Sequence, residues 1–365
     1  MDNAPYLLAL HSIDGLGPIR LKAVLDYFKD PKLAWEADVR EIRKIGVPQN
    51  VVDLFLETRK KLEPEDYAQS IKDTGIKWIT IFDEDYPKLL AQIYDPPVVL
   101  YYKGELLPQD EEAMAVVGTR KMTGYGKTIT DQFTSALVAA GLTIVSGLAR
   151  GVDTQAHKSA LEAGGRTIAV LGGGLKKVFP PENISLAEKI AEGYGAVISE
   201  FPPDYPSLPG NFPSRNRIIS GLSLAVLVTE AAEDSGSLIT ARLALEQGRD
   251  VFAVPGPVTS QLSKGPIDLI KEGARAVYEV EDILDELGIN KMQSATPLRG
   301  PDVQSLENLS EDEKKILDCL ENETRHIDEI GRMLNFPAAK ISALLLKMEI
   351  VGLVQSMGAG NYCSR

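Results

Sequence analysis

The sequence predicts an α/β protein built on a doubly wound, mostly parallel sheet, and three observations carry that reading. From Met114 onward, short apolar runs alternate with segments of helical periodicity, as in strands buried on both faces with helices between them. The first run, through Val117, ends at Gly118. A polar, glycine-bearing loop follows to Gly126, and then a helical segment, a geometry that turns backbone N–H groups and a helix N-terminus toward an anion, taken here as a phosphate. Third, the segments closing the runs hold Gly or Pro throughout and Arg or Lys in most cases, where a Rossmann-like sheet places its functional loops.

Element by element, strands are predicted at Ala115–Val117, Leu142–Val145, Thr167–Leu171, Ala196–Ser199, Leu224–Val228 and Val251–Val254. Helices are predicted between them at Lys127–Ala140, Thr154–Ala163, Ile184–Ala191, Ile218–Gly221 and Leu238–Gln247. Upstream, Ile13-Asp14-Gly15-Leu16-Gly17-Pro18 precedes a helical run at Ile19–Phe28, and Ile42–Pro48 precedes another at Gln49–Lys61. An apolar-Gly-apolar-Gly turn between helices resembles a helix-hairpin-helix module, with packing alone as the alternative role, since Asp14 would repel a phosphate. Strands at Ile76–Phe82 and Pro96–Tyr102 then lead into the sheet. Beyond a polar stretch come helical segments at Glu311–Leu320, Ile327–Leu334 and Ala338–Met348 and a hairpin within Gly352–Tyr362, the order of a winged helix. The expected domains are a helical, SAM-like one over residues 1–62, the extended Rossmann-like one over 63–287 with its core at 114–280, a linker at 288–308 and a winged helix at 309–365.

Composition narrows the function. The 365 residues, 44% apolar, suffice for several domains. No apolar run approaches the ~18 residues of a membrane span, and the first ten residues lack a signal-like pattern, so a cytoplasmic protein without membrane contact is expected. Cys319 and Cys363 both lie near the C-terminus and His11, His157 and His326 are scattered, so neither a disulfide framework nor a metal site is expected. The net charge of −13 is uneven: residues 1–113 carry 14 basic and 21 acidic side chains, 114–280 carry 16 and 16, and 281–365 carry 9 and 15. A polyanion would therefore bind a local groove in the middle domain.

Four chemistries compete for that groove. A nucleotide-hydrolysing P-loop has Gly126-Lys127-Thr128 in its favour, but Lys121 stands where the first glycine is needed. A dinucleotide site fails on the missing G-x-G-x-x-G and the absent ribose carboxylate after the second strand. Acid–base hydrolysis could draw on Asp153, Glu200 or Glu230 at strand ends, although Asp153 before Thr154 also reads as a helix cap. The fourth is a binding surface for single-stranded nucleic acid, with arginines on phosphates and Tyr125, Phe179, Phe201 or Phe212 stacking on bases. Arg215 and Arg217 have a structural alternative as ion-pair partners of Glu200 or Glu230. An interaction scaffold working through the acidic flanks is a further possibility.

The motifs decide among these by resemblance. Ser146-Gly147-Leu148-Ala149-Arg150-Gly151-Val152-Asp153 with Ala156-His157, Phe212–Ser223, and Ser235–Ala241 through Val254-Pro255-Gly256 are similar to the signature segments of the DNA-processing protein A (DprA/Smf) family. Tyr86-Pro87, Pro96-Pro97 and Leu100-Tyr101 extend the likeness upstream, and the terminal domains suit larger members. The resemblance implies a protein that binds single-stranded DNA without strong sequence preference and dimerises through its Rossmann-like domain. It further implies protection of incoming DNA and help in loading RecA recombinase during natural transformation, with neither catalysis nor a cofactor. It assigns DNA contact first to Arg120, with Gly118 and Thr119 beside it. Lys176, Lys177 and Phe179 follow, in the loop that supplies a lysine and an aromatic. Ser146, Gly147, Arg150, Gly151, Arg215, Asn216, Arg217, Gly236 and Ser237 complete the set from the surrounding signature loops. Lys176 stands where the family commonly has an acidic residue, so the contacting lysine is Lys176 or Lys177.

Overall fold

The computed structural model describes residues 3–289, 310–320, 325–334, 336–350, 354–358 and 360–364. The chain forms two compact units, Met1–Ala295 and Thr296–Arg365.

The first unit opens with six helices: α1 (Ala4–His11), α2 (Pro18–Phe28), α3 (Pro31–Glu36), α4 (Val39–Lys44), α5 (Gln49–Lys61) and α6 (Pro64–Lys72). Leu7, Leu8, Ala9 and Leu10 of α1 are all buried, so this short helix is enclosed by its neighbours. The hairpin before α2 bends at Gly15, whose φ of +85° favours glycine, and Ile13 and Leu16 anchor it in the core. Leu10, Leu21, Trp35 and Phe55 share one apolar cluster with Val99, Tyr101, Ala169, Leu171 and Val197 of the sheet. Helix α6, absent from the sequence expectation, adds Ala68 and Ile71 to that cluster. The helical segment is thus a layer on the sheet.

Then follow β1 (Lys77–Thr80), α7 (Lys88–Ala91), β2 (Val99–Gly104), β3 (Ala113–Val117), α8 (Gly124–Ala139), β4 (Thr143–Ser146), α9 (Val152–Glu162), β5 (Thr167–Val170), α10 (Ile184–Lys189), β6 (Gly195–Ser199), α11 (Asn211–Gly221), β7 (Ala225–Val228), α12 (Gly236–Glu246), β8 (Asp250–Ala253), α13 (Lys264–Lys271), β9 (Arg275–Ala276) and α14 (Glu281–Glu286). The strands form one sheet in the order β1-β2-β6-β5-β4-β3-β7-β8-β9. Pairing is parallel from β6 to β9, and β2 runs antiparallel to both β1 and β6. Alternation along β3 sends Ala113, Ala115 and Val117 to a face covered by Ile218 and Ile219 of α11 and Leu238 and Ala241 of α12. Met114 and Val116 go to the other face, against Phe133 and Leu137 of α8 and Val152 and Ala156 of α9. The sheet is doubly wound as the sequence predicts, and its order reverses between β3 and β7.

Helix starts are where prediction and structure part. Helix α8 begins at Gly124, α9 at Val152 and α12 at Gly236, each two or three residues early. Helix α11 begins at Asn211, so Phe212–Arg217, expected as a loop, is its first turns. Pro213 is tolerated there because the opening residues of a helix have no intrahelical acceptor for their N–H groups.

His157 is one of the groups that make stability depend on pH. His157 of α9 is fully buried; its Nδ1 lies 2.7 Å from Thr167 Oγ1, whose hydroxyl donates to the Ile144 carbonyl, so Nδ1–H is the donor to Thr167. Burial, with the nearby Arg215 charge, pushes its pKa down to about 3. The unfolded chain protonates this ring near pH 6.5 and the folded one does not, so stability falls as pH drops from about 6.5 toward 3. Acidification from pH 7 to 5 is expected to cost about 2 kcal/mol through this residue, read as a lower urea midpoint. His157→Gln should lack that part of the pH slope; equal slopes in both chains would refute the assignment.

The second unit contains α15 (Glu311–Leu320), β10 (Arg325–His326), α16 (Ile327–Leu334), α17 (Ala338–Ile350), β11 (Val354–Gly358) and β12 (Asn361–Ser364). Its antiparallel sheet has the order β10-β12-β11, and Ile316, Leu320, Ile330, Ile341, Leu345 and Met348 form its core, a winged-helix arrangement. Two lysines of α17 pair with carboxylates of α15: Lys340 lies 2.6 Å from Asp312 and Lys347 lies 2.8 Å from Glu313. Hydrogen bonds from Lys347 and from the Ser310 N–H and hydroxyl lower the Glu313 pKa to about 2. The linker expected at residues 288–308 lies outside the described residues except Gly288 and Ile289.

Candidate functional site

The carboxyl edge of the parallel strands holds the segments singled out in the sequence, and internal carboxylates fill two of its anion seats. Thr123 caps α8 by accepting the Gly126 N–H, while Glu230, after β7, accepts the Thr123 N–H at 2.9 Å and the Thr123 hydroxyl at 2.7 Å. A Cβ on Gly126 would overlap the Glu230 carboxylate. The anion expected at this N-terminus as a phosphate is therefore Glu230, seated at the switch point between β3 and β7. The same happens after β4, where the N–H groups of Gly147 and Ala149 donate to Asp153 Oδ2 at 3.1 and 3.3 Å. Asp153 lies in the first turn of α9, whose N-cap is Gly151, so its reading as the cap is corrected. Glu230→Ala should destabilise the protein by about 1–2 kcal/mol through loss of this charged cap, seen as a lower melting temperature. An unchanged melting temperature would mean that the seat contributes nothing.

Several of the residues assigned to DNA contact serve as framework. Thr119 is buried, and its N–H donates to the Glu230 carbonyl at 2.6 Å while its carbonyl accepts the Val152 N–H. The backbone half of the expected clamp at Gly118 and Thr119 is thereby used internally; a Cβ on Gly118 would meet the Glu230 carbonyl and Val152. Ser146 is fully buried and donates to the Val116 carbonyl. A Cβ on Gly147 would strike the Arg215 guanidinium, and one on Gly151, at φ +76°, would strike the Thr119 carbonyl. Gly236 accepts from Asn216 Nδ2 at 3.3 Å, and Ser237 is buried against Ser235.

The arginines of α11 are buried too. Arg217 makes a two-pronged pair with Glu200 at 2.8 and 2.6 Å and a third bond to Asp95 at 2.9 Å. Burial alone would lower its pKa, but Glu200 and then Asp95 raise it. The ion-pair alternative for Arg217 is the one the structure adopts, with Glu200. Arg215, 4% exposed, donates to the Val170 carbonyl; burial pushes its pKa down to about 10, with Asp153 opposing and Arg120 adding to the fall. Burial raises the Asp153 pKa against the lowering by Arg215 and the two N–H groups.

What remains exposed forms a connected surface. Phe179 is 46% exposed, with its ring centroid 5.9 Å from that of Phe212, and the Arg120 guanidinium lies 5.7 Å over the Phe212 ring. Arg120 and Lys177 are exposed and make no ion pair among the described residues. Lys176 pairs with Asp204 at 2.8 Å and Arg150 with Glu182 at 2.6 Å, all near the surface. From sequence, Phe212 is one of four candidate stacking aromatics, and its link to Arg120 across 92 positions leaves no local signal. Chemically, the ridge offers an aromatic face, an aromatic-backed guanidinium and neighbouring ammonium groups, which suits stacked bases and phosphates.

These features define a Rossmann-like α/β protein with a cation–aromatic ridge on the carboxyl edge of its sheet and a separate winged-helix unit. The chain belongs to the DNA recombination-mediator protein A family, whose profile matches residues 77–288, and the DprA winged helix domain profile matches residues 300–360. Protein Smf of Synechocystis sp. is 36% identical over 392 residues, spanning 99% of this chain and 98% of that protein. DNA processing protein DprA of Bacillus subtilis is 38% identical over 304 residues, 81% of this chain and 100% of that one. Among solved structures, DNA processing protein A of Streptococcus pneumoniae is similar with a TM-score of 0.69 and 39% identity, covering 77% of this chain and 97% of its own. DNA processing protein A of Helicobacter pylori, whose structure concerns its single-stranded DNA binding mode, gives a TM-score of 0.52 and 31% identity, covering 58% and 95%.

Proposed function

We propose that this chain binds single-stranded DNA along the Arg120, Phe212 and Phe179 ridge, with Lys176 and Lys177 on the phosphates. We further propose that it acts as a cytoplasmic homodimer that protects the strand and helps load RecA recombinase in DNA processing and transformation. The observation that carries the reading is the exposed ridge itself: a guanidinium backed by one aromatic ring, beside a second ring open to solvent, in a family whose Helicobacter pylori member is described by its single-stranded DNA binding. Stacking is tolerant of base identity, which fits binding without strong sequence preference. The chain works as a binder rather than a catalyst: Glu200, Glu230 and Asp153 are each committed to partners that hold the fold. Fluorescence anisotropy with a labelled oligothymidine tests the core of this. Binding should weaken with log salt at a slope of about −0.7 for each phosphate neutralised. Salt-independent binding, or none at low salt, would overturn it.

A further inference from the structure

We propose that Asp204 and Glu182 are intramolecular phosphate mimics, which occupy Lys176 and Arg150 until a DNA strand displaces them and so set the affinity and salt response of the site. The proposal rests on the reading of this face as DNA-binding.

Two kinds of ion pair occur in the first unit. Arg217 with Glu200 and Arg166 with Asp110 are buried and hold the fold, with side-chain exposures of 7%, 9%, 13% and 6%. Lys176 with Asp204 and Arg150 with Glu182 stand in solvent, the two carboxylates 75% and 59% exposed, where an ion pair stabilises the fold little. Yet the main-chain segments that carry both carboxylates are held beside the cations by other contacts. The segment carrying Asp204 is tied to the lysine loop by two main-chain bonds, Gly174 N–H to the Tyr205 carbonyl at 2.8 Å and Lys176 N–H to the Pro203 carbonyl at 3.0 Å. The segment carrying Glu182 is anchored by the next residue, Asn183, whose Nδ2 donates to the Leu148 carbonyl at 2.8 Å and to Thr154 Oγ1 at 2.7 Å.

These same segments carry the ridge, since Phe179 lies between Lys176 and Glu182 and Phe212 follows Asp204. A carboxylate oxygen and a phosphate oxygen make the same charge-assisted bond to an ammonium or a guanidinium, so one can replace the other without moving the cation. Arg120 and Lys177 need no such exchange. The surface therefore divides into cations open to capture a strand and cations released to it in a second step. Each carboxylate set free recovers a counterion from solution, which offsets part of the counterion release from the DNA.

The test uses Asp204→Asn and Glu182→Gln in the full chain, each near wild-type in size and each checked by thermal melting. Oligothymidine affinity should rise by about two- to fivefold for each substitution, the scale of an exposed ion pair. The salt slope should steepen by up to about 0.7 per freed cation. Affinity equal to or below that of the unsubstituted chain, in variants that melt normally, would overturn the proposal by making the carboxylates supports rather than competitors. Arg120→Ala is measured in parallel. If that variant keeps full affinity, the DNA-binding reading itself fails. If it loses affinity while the two carboxylate variants do not change, only the competition fails.

Discussion

Arg120→Ala is expected to lower affinity for a labelled oligothymidine by about 10- to 100-fold, the loss of one charge-assisted bond to phosphate. Phe179→Ala should lower it by a similar amount for a different reason, because one stacked base is worth about 1–3 kcal/mol. Salt titration separates the two. Removing Arg120 takes away a cation and should flatten the salt slope by about 0.7, whereas removing Phe179 leaves the charge count and the slope unchanged. Both residues are exposed and both contact the Phe212 ring, and neither makes a side-chain ion pair among the described residues, so neither substitution breaks a buried ion pair. Wild-type affinity in both variants would remove the ridge from the binding surface. A flattened slope in Phe179→Ala would show that the loop had moved its lysines.

Glu200→Ala is expected to be the most damaging single change to the fold, at about 3–5 kcal/mol. It leaves the Arg217 guanidinium, 7% exposed, without its two-pronged partner in a buried setting, with only Asp95 and the Ser214 and Asp95 carbonyls near it. The cost is mostly that of the stranded charge, so Glu200→Gln, which keeps an acceptor, should cost less. Urea denaturation followed by circular dichroism measures it. A midpoint within error of the unsubstituted chain for Glu200→Ala would place the pair outside the stabilising framework.

Period and spacing sufficed for the sheet. Every predicted strand of the middle domain is present, because apolar runs bounded by glycine and serine are local signals. The starts of the helices were harder, because their caps come from far away or from an unexpected direction. Thr123 and Glu230 are 107 positions apart, and no window around Lys127 reveals that α8 begins a turn earlier. Proline in Phe212-Pro213-Ser214 reads as a breaker until one knows that it stands in the opening turn of α11. At the site, Arg120, Lys176, Lys177 and Phe179, which the resemblance assigns to DNA contact, lie on one edge of the sheet. The motif could not separate residues that face solvent from those beneath them. Arg215 and Arg217 carry the same charge as Arg120, and only packing against Val170, Glu200 and Asp95 makes them internal. A motif records which residues the edge requires, and burial decides whether the requirement is for support or for contact.

The seat filled by Glu230 bears on what can compete at this edge. Glu230 belongs to the chain and is held in its seat by the Thr123 N–H and hydroxyl, so it meets the α8 N-terminus without any encounter from solution. A free nucleotide would have to displace that carboxylate and take over both of its hydrogen bonds. The expected result is that a nucleoside triphosphate does not seat at this N-terminus, so that adding one to a binding reaction acts on this protein only through ionic strength.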